Sequence, residues 1–355
     1  MRITNRLGLP AALVAACQND PYDPGDSDIS ITRLIAPPRQ VALVKQYNDV
    51  LSEDVADRIW ALRSQGIHSV LERACDPDPR RAAMVDSIRS VTTLIDTLGG
   101  EQISLELTKQ GLVDLLTLYP PSPEAANEIA EVRWDTTCFG WKVSGKLDLV
   151  SVADRHLWDW KDTSVWSIKR ALDPALKGKE VKWEQQANLL RLFGVKYDHT
   201  IDHVGAIAFG RDWRKNEKRR YGNDYPDHEV SVVPLKTWPL ERARDFLEDR
   251  VALHQQAQRG ELPECTADER LEQPSIYAAY KIGNVNASKL FGRKPTDGGR
   301  PAGDEYVASR KGYELRVRPG ESVGCASYCS ALSVCTQGQA IVAADAARAM
   351  KEAEE

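Results

Sequence analysis

Apolar and polar positions follow two rhythms along this chain. From residue 55, apolar side chains recur at Val55, Ile59, Leu62, Ile67, Val70 and Leu71, the three-to-four spacing of an amphipathic helix. Ser52-Glu53-Asp54 ahead of them reads as the helix start, with acids in the first turn. Gly66 reads as a point of close backbone approach. A second helical stretch is expected around 80–98. Between Glu131 and Val152 the rhythm shortens to that of strands, through Val132, Trp134, Cys138, Phe139, Trp141, Val143, Leu147, Leu149 and Val150. Further strands are expected at Trp158–Lys161, Val204–Phe209, Val230–Val233 and Tyr313–Val317. Helices are expected at Lys182–Phe193, Leu240–Gln258 and about 338–354. Residues 19–40, rich in Asp, Pro and Ser, read as irregular, and 292–304 as a flexible loop. The pattern predicts an α/β protein in three parts: a lead-in over 1–50, a core over 51–260 and a C-terminal segment over 261–355.

With 42% hydrophobic and 28% charged residues, the 355-residue chain has the composition of an ordinary soluble globular protein. No apolar run approaches the roughly 20 residues of a membrane helix. The stretch Leu7–Ala16 is interrupted by Pro10 and makes a poor signal peptide, so a cytoplasmic location and no membrane partner are expected. A net charge of −5 leaves nucleic-acid binding to local patches. One such patch is Arg211, Arg214, Lys215, Lys218, Arg219 and Arg220, with Trp213 inside the run and only Asp212 and Glu217 opposing. It follows an apolar strand directly. It reads either as a solvated loop or as a contact for a phosphate backbone.

Two acids and a lysine carry the chemistry. Asp148 ends Gly145-Lys146-Leu147-Asp148, after a small-residue turn at Ser144-Gly145, and Asp159-Trp160-Lys161 lies in the next strand. Carboxylates converging at strand ends supply hard oxygen ligands for a divalent cation. Lys161, two residues beyond Asp159, shares its face of the strand. Metal-assisted phosphodiester hydrolysis needs this set: a Lewis acid, an activated water and a cation near the developing charge. Gln185, Gln186 and Asn188 on the following helix are placed to position a phosphate or water. His199 and His203, four apart, read as part of a surface turn rather than as a metal pair.

Of seven cysteines, Cys17, Cys75 and Cys138 are scattered and read as core residues. Cys325, Cys329 and Cys335 fall within eleven residues, and in a reducing compartment such a cluster favours metal ligation. With Cys265 as fourth ligand it would complete an iron–sulfur cluster or a zinc site. Cys17 and Cys75 compete for that place.

These residues resemble the PD-(D/E)XK nuclease superfamily, within it the RecB-type phage exonuclease branch related to iron–sulfur-containing CRISPR-adaptation nucleases. The resemblance rests on His68 in Gly66-Ile67-His68-Ser69-Val70-Leu71-Glu72, on Asp148, on Asp159-Trp160-Lys161 and on Gln186 of the helix. Cys325, Cys329 and Cys335 resemble the branch's C-terminal cluster motif. Met1-Arg2-Ile3-Thr4-Asn5, Pro37-Pro38-Arg39 and Phe209-Gly210-Arg211-Asp212-Trp213 look like phage-encoded members. The resemblance implies a restriction-endonuclease-like core, a central mixed sheet flanked by helices, with a helical N-terminal part and a Cys-cluster C-terminal segment. It implies Mg²⁺ or Mn²⁺ on His68, Asp148, Asp159 and the Trp160 carbonyl, and a [4Fe-4S] cluster, with Zn²⁺ as the alternative. Lys161 would orient water and Gln186 support the site. The implied activity is that of a DNA exonuclease in phage recombination or processing, with an annealing protein or helicase as partner. The alternative is a non-catalytic or partner-dependent DNA-binding module. Two features depart from the pattern. Leu190 stands where the family has a tyrosine, and Cys265 follows the core where the family's first cluster Cys precedes it.

Overall fold

The computed structural model describes residues 2–18, 26–75, 128–173, 182–292 and 297–354; the helix expected at 80–98 lies outside them. In chain order the N-terminal part forms β1 (Arg2–Thr4), α1 (Ala11–Gln18), β2 (Ile29–Ser30), α2 (Ile31–Leu34), α3 (Pro38–Gln46), β3 (Ser52–Asp54) and α4 (Val55–Cys75). The central part forms β4 (Glu128–Ala130), β5 (Arg133–Cys138), β6 (Trp141–Lys146), β7 (Leu149–Ser151), β8 (His156–Thr163), α5 (Val165–Leu172), α6 (Lys182–Gly194), β9 (His203–Gly210), α7 (Lys215–Tyr221), β10 (Val230–Pro234) and α8 (Leu240–Gln258). The C-terminal part forms β11 (Ile276–Lys281), β12 (Lys289–Phe291), α9 (Gly299–Ala308), β13 (Tyr313–Arg318) and α10 (Thr336–Glu354).

The architecture is α/β, with mixed sheets flanked by helices. One sheet runs β10-β9-β8-β7-β4, and only its β8–β9 pair is parallel. Parallel neighbours need a crossover, and α5 with α6 supplies it. A second sheet runs β2-β6-β5, with β2 parallel to β6. The β5–β6 hairpin turns on Phe139 and Gly140, both at positive φ, the twist that two-residue hairpins require. α6 closes the core between the sheets: Leu189, Leu190 and Phe193 pack with Trp134, Val143, Leu147, Leu157 and Val204. α8 adds Leu247 and Val251.

The N-terminal part differs from its reading as an irregular lead-in. Residues 29–34 and 38–46 are regular, and Ile29, Ile31, Leu34 and Ile35 belong to the main core, so no boundary falls at residue 50. Ser52–Asp54 is a strand paired with β1, and the helix begins at Val55. Asp54 still caps it, accepting from the Ala56 amide at 3.2 Å. Nothing among the described residues lies within 4 Å of a Cβ built on Gly66, so the close approach expected there is absent. Ile59 and Val70, expected on the apolar face, are exposed among the described residues.

Ser144-Gly145 is not a turn but the buried middle of β6. A Cβ at Gly145 would lie 2.5 Å from Ile31 Cδ1 and 2.8 Å from Leu190 Cδ2, so glycine lets α2 and α6 close on the strand. Residues 299–304, read as loop, are the first turns of α9. The C-terminal segment is more than a cysteine cluster: β12-β11-β13 form an antiparallel sheet against which α9 packs through the Phe291–Tyr306 edge contact.

Candidate metal centre

Asp148 lies in the gap between β6 and β7, not at the end of a strand as expected. β7 begins opposite Trp158, so Trp160 extends past it into the same gap. The Trp160 amide donates to Asp148 Oδ2 at 2.6 Å. A residue's N–H and C=O leave a strand on one edge, so the Trp160 carbonyl faces this gap too. Leu157, Asp159 and Lys161 share the opposite face of β8, as period two demands. There Lys161 Nζ lies 2.5 Å from Asp159 Oδ2 and donates to Gln186 Oε1 at 3.1 Å. Gln186 Nε2 donates to Asp159 Oδ1 at 3.3 Å. The expected acid–lysine–glutamine set is thus assembled.

α4 crosses the strand ends and is held there by three charged contacts. Arg63 meets Asp162 at 3.3 Å, His68 Nδ1 meets Asp148 Oδ1 at 3.3 Å, and Glu72 meets Lys146 at 4.0 Å. Lys146 pairs with Glu131 rather than with Asp148.

Glu131 is the residue that the pattern of the sequence did not show. It follows β4 in a left-handed conformation (φ 57°), which its amide bond to the Asp148 carbonyl at 3.2 Å holds in place. Its carboxylate is buried and lies 3.8 Å from His68 Nδ1. Donor atoms of His68, Glu131 and Asp148 all fall within 4.8 Å of one another, the one such set of three among the described residues. Asp159 stands beside this trio, turned to Lys161 and Gln186. Its position makes it an outer member of the site rather than part of the tightest donor set.

The electrostatics show crowded acids. Asp159 is fully buried; desolvation raises its carboxyl to about 7, with Asp148 pushing it up and Lys161 pulling it down. Burial also acts to raise Asp148, but the His68 hydrogen bond and charge, Lys161 and the Trp160 amide together bring it below the usual carboxylate range. His68 is raised to about 10 by Asp148 first and Glu131 second. Glu131 Oε1 and Asp159 Oδ2 are buried with no hydrogen-bond donor, Asp159 Oδ2 having only its ion-pair contact with Lys161. Three buried carboxylates with oxygens left over suit a hard divalent cation.

Leu190, where the sequence resemblance would place a tyrosine, is 1% exposed and packed over Gly145, so it reaches no surface. The basic run is not a loop: it is a turn followed by α7. Arg211, Arg214, Lys215, Arg219 and Arg220 are exposed, but Lys218 is turned inward to Asp227 and to the Gly222 and Tyr225 carbonyls. It is no free phosphate contact. His199 stacks on Trp134 and His203 opens β9, so the two form no metal pair.

The four C-terminal thiols come together. After desolvation and Glu269, the neighbours that raise Cys265 to about 12 are Cys335, Cys325 and Cys329. Cys75 instead lies by Glu128, Glu131 and Glu72. Arg39 of the Pro37-Pro38-Arg39 run fixes the Cys265 turn, donating to the Leu262 and Pro263 carbonyls at 2.8 and 2.9 Å. Gln337 brackets Cys265 from α10, accepting from its amide at 2.9 Å and donating to its carbonyl at 3.2 Å. No three of these sulfurs lie within 4.8 Å of one another, whereas a tetrahedral zinc site closes to about 3.8 Å between sulfurs.

No helix of the described residues is long and apolar enough to cross a membrane. No family model matches the chain, and no curated protein matches it. A solved structure titled "Crystal structure of SSO0001" is similar at 11% identity and a TM-score of 0.31, over 68% of this chain and 84% of that one, too loose a likeness to say anything of this chain's chemistry.

Proposed function

We propose that this chain is a divalent-metal-dependent DNA nuclease of the PD-(D/E)XK type, acting from DNA ends. One observation carries the reading: buried Asp148, Asp159 and Glu131 gather around one gap with Lys161 and His68, a carboxylate set with spare lone pairs. His68, Glu131, Asp148 and the Trp160 carbonyl would hold Mg²⁺ or Mn²⁺, with Asp159 at the margin. When bound, such an ion supplies Lewis acidity toward a phosphoryl oxygen and a more acidic water. Lys161, held by Gln186, keeps its ammonium at the gap, where it orients the attacking water and meets charge developing on the phosphate. The β6–β7 gap facing β8 is the element of a restriction-endonuclease-like core that brings these groups together.

The four cysteines would hold an iron–sulfur cluster, with zinc as the alternative. The support is that the thiols neighbour one another. A cluster there would staple the C-terminal part to α3, against which Cys329 and Cys335 pack through Leu43, Val44 and Tyr47.

The test is cleavage of one DNA as a linear and as a covalently closed circle, with Mg²⁺ and with EDTA, beside Lys161→Ala. Metal-dependent loss of the linear form alone, abolished in the variant, is the expected result. Cutting of the circle makes the chain an endonuclease. Cleavage by Lys161→Ala at the wild-type rate removes the assignment of the site.

A further inference from the structure

The segment between Cys265 and Cys325 carries a charge unlike that of the rest of the chain. Residues 276–318 hold nine Lys or Arg against four Asp or Glu, a local charge of +5 in a protein of net −5. This segment is the β11-β12-β13 sheet with α9. Its neck is closed on the cysteine segment: the Gly324 amide donates to the Arg270 carbonyl at 2.7 Å, and the Gln273 amide to the Glu321 carbonyl at 2.9 Å.

Within it the cations gather around two tyrosines at one end of the sheet. Arg310 lies over the Tyr306 ring at 3.8 Å and Lys289 over the same ring at 5.3 Å. Tyr306 meets Tyr313 edge-on at 5.9 Å, and Tyr313 is paired in register with Lys281. Lys311 follows Arg310, and the turn is tied to β11 by the Ile282 amide on the Gly312 carbonyl at 2.9 Å. All four cations are exposed. Ion pairs of this part include Arg300–Asp304 and Arg316–Glu314; among the described residues Lys281, Lys289, Arg310 and Lys311 make none. Like charges around one aromatic pair repel, and the cation–π contacts offset that only partly. A polyanion laid across them relieves the repulsion and releases counterions.

We propose that this sheet module is a second nucleic-acid-docking surface, in which Lys281, Lys289, Arg310 and Lys311 track a phosphate backbone beside the half-buried Tyr306 and Tyr313. The proposal rests on the nuclease reading for its choice of partner, and it adds a backbone contact to the one offered by the exposed cations beside and on α7. Phosphate contacts of this kind hold a strand without reading its bases, so binding is expected to be salt-sensitive and indifferent to sequence.

The test is fluorescence anisotropy of a labelled DNA oligonucleotide, single-stranded and as duplex, titrated with the full chain in EDTA, where no cleavage competes. The variant combines Lys289→Gln, Arg310→Gln and Lys311→Gln with Lys281→Gln, with circular dichroism to show that it is folded. The expected result is a loss of at least about tenfold in affinity, and a slope of log K against log salt shallower by about three. A folded variant that binds like the parent overturns the proposal. So does binding only to phosphatidylserine vesicles that is lost in Ile282→Ser with Val285→Ser, since those exposed residues form the tip of the β11–β12 hairpin. Should neither protein cleave in Mg²⁺ while the variant alone loses DNA, the nuclease reading falls and the docking surface stands. Should both cleave and bind alike, the reverse holds.

Discussion

The amide of Trp160 donates to Asp148 Oδ2 at 2.6 Å, so the strand that presents Asp159 and Lys161 on one face orients the other acid from its edge. The two acids are therefore not independent. Asp148→Asn keeps an acceptor for that amide but removes the charge and turns the atom facing His68 into a donor. Metal-dependent cleavage is expected to fall by at least about 100-fold. The melting temperature should stay within roughly 2 °C, about 1 kcal/mol for a chain of this size. A parallel activity assay and thermal melt decide it. A collapse of the melt with the activity would make Asp148 a structural residue.

Glu131→Gln separates ligand from scaffold in another way. The left-handed backbone at 131 is kept, while Lys146 loses its nearer counter-charge and the His68–Asp148 pair loses a charged neighbour. The apparent Mn²⁺ affinity, read by calorimetry, is expected to weaken about 10–100-fold. An unchanged affinity would restrict Glu131 to positioning Lys146.

Much of the site was legible because β8 obeys period two. Once Trp158–Lys161 is a strand, Asp159 and Lys161 must share a face, and the amide-rich side of α6 follows as the element that covers it. Glu131 was not legible. Its place depends on the long-range β4–β7 pairing and on a positive φ, neither of which has a sequence signal in Glu-Ile-Ala-Glu-Val. α9 was hidden by composition: Gly299, Pro301 and Gly303 look like loop. Yet Gly303 is buried, with Leu315 3.0 Å from where a Cβ would be, so glycine there serves a helix–sheet contact. The same confusion turned Ser144-Gly145 into a turn. Small residues at a close approach and small residues at a bend look alike in one sequence.

Gly145→Ala tests the first of these meanings. The added methyl meets Ile31 and Leu190, side chains of the main core with little room to give. Overpacking of this kind is expected to lower unfolding stability by about 1–3 kcal/mol in a urea titration with unchanged m-value. Gly66→Ala is the control. It is open on all described sides and in mid-helix, so it should be neutral or stabilise by up to about 1 kcal/mol. Equal effects at the two positions would show that β6 accommodates the methyl.

The cysteine assignment predicts a coloured protein. Anaerobic purification should give visible absorption with about four irons per chain, and Cys265→Ala should lose both. Cys138→Ala should keep them, since Cys138 ends β5 within the main core. One zinc per colourless chain would replace the cluster with a zinc site. Iron retained in Cys265→Ala would move the fourth ligand elsewhere.

His254 sets a stability limit on the acid side. It is 3% exposed on α8, and its Nε2–H donates to the Leu34 carbonyl at 3.0 Å, tying α8 to α2. Burial first, and Arg250 nearby, depress its pKa to about 4, against the partial support of the Leu34 and Ala36 carbonyls and Glu269. Above the unfolded-state value near 6.5 the ring is neutral in both states and contributes no pH dependence. Between that value and about 4 only the unfolded chain takes the proton, so stability falls as the pH falls, by up to the order of 3 kcal/mol across the window. Below about 4 the native ring is protonated too and this slope ends. His254→Gln, which keeps a donor for Leu34 but does not titrate, should flatten urea midpoints measured from pH 7 to 4.5. An equally steep fall in the variant would assign the acid sensitivity to the carboxylates instead.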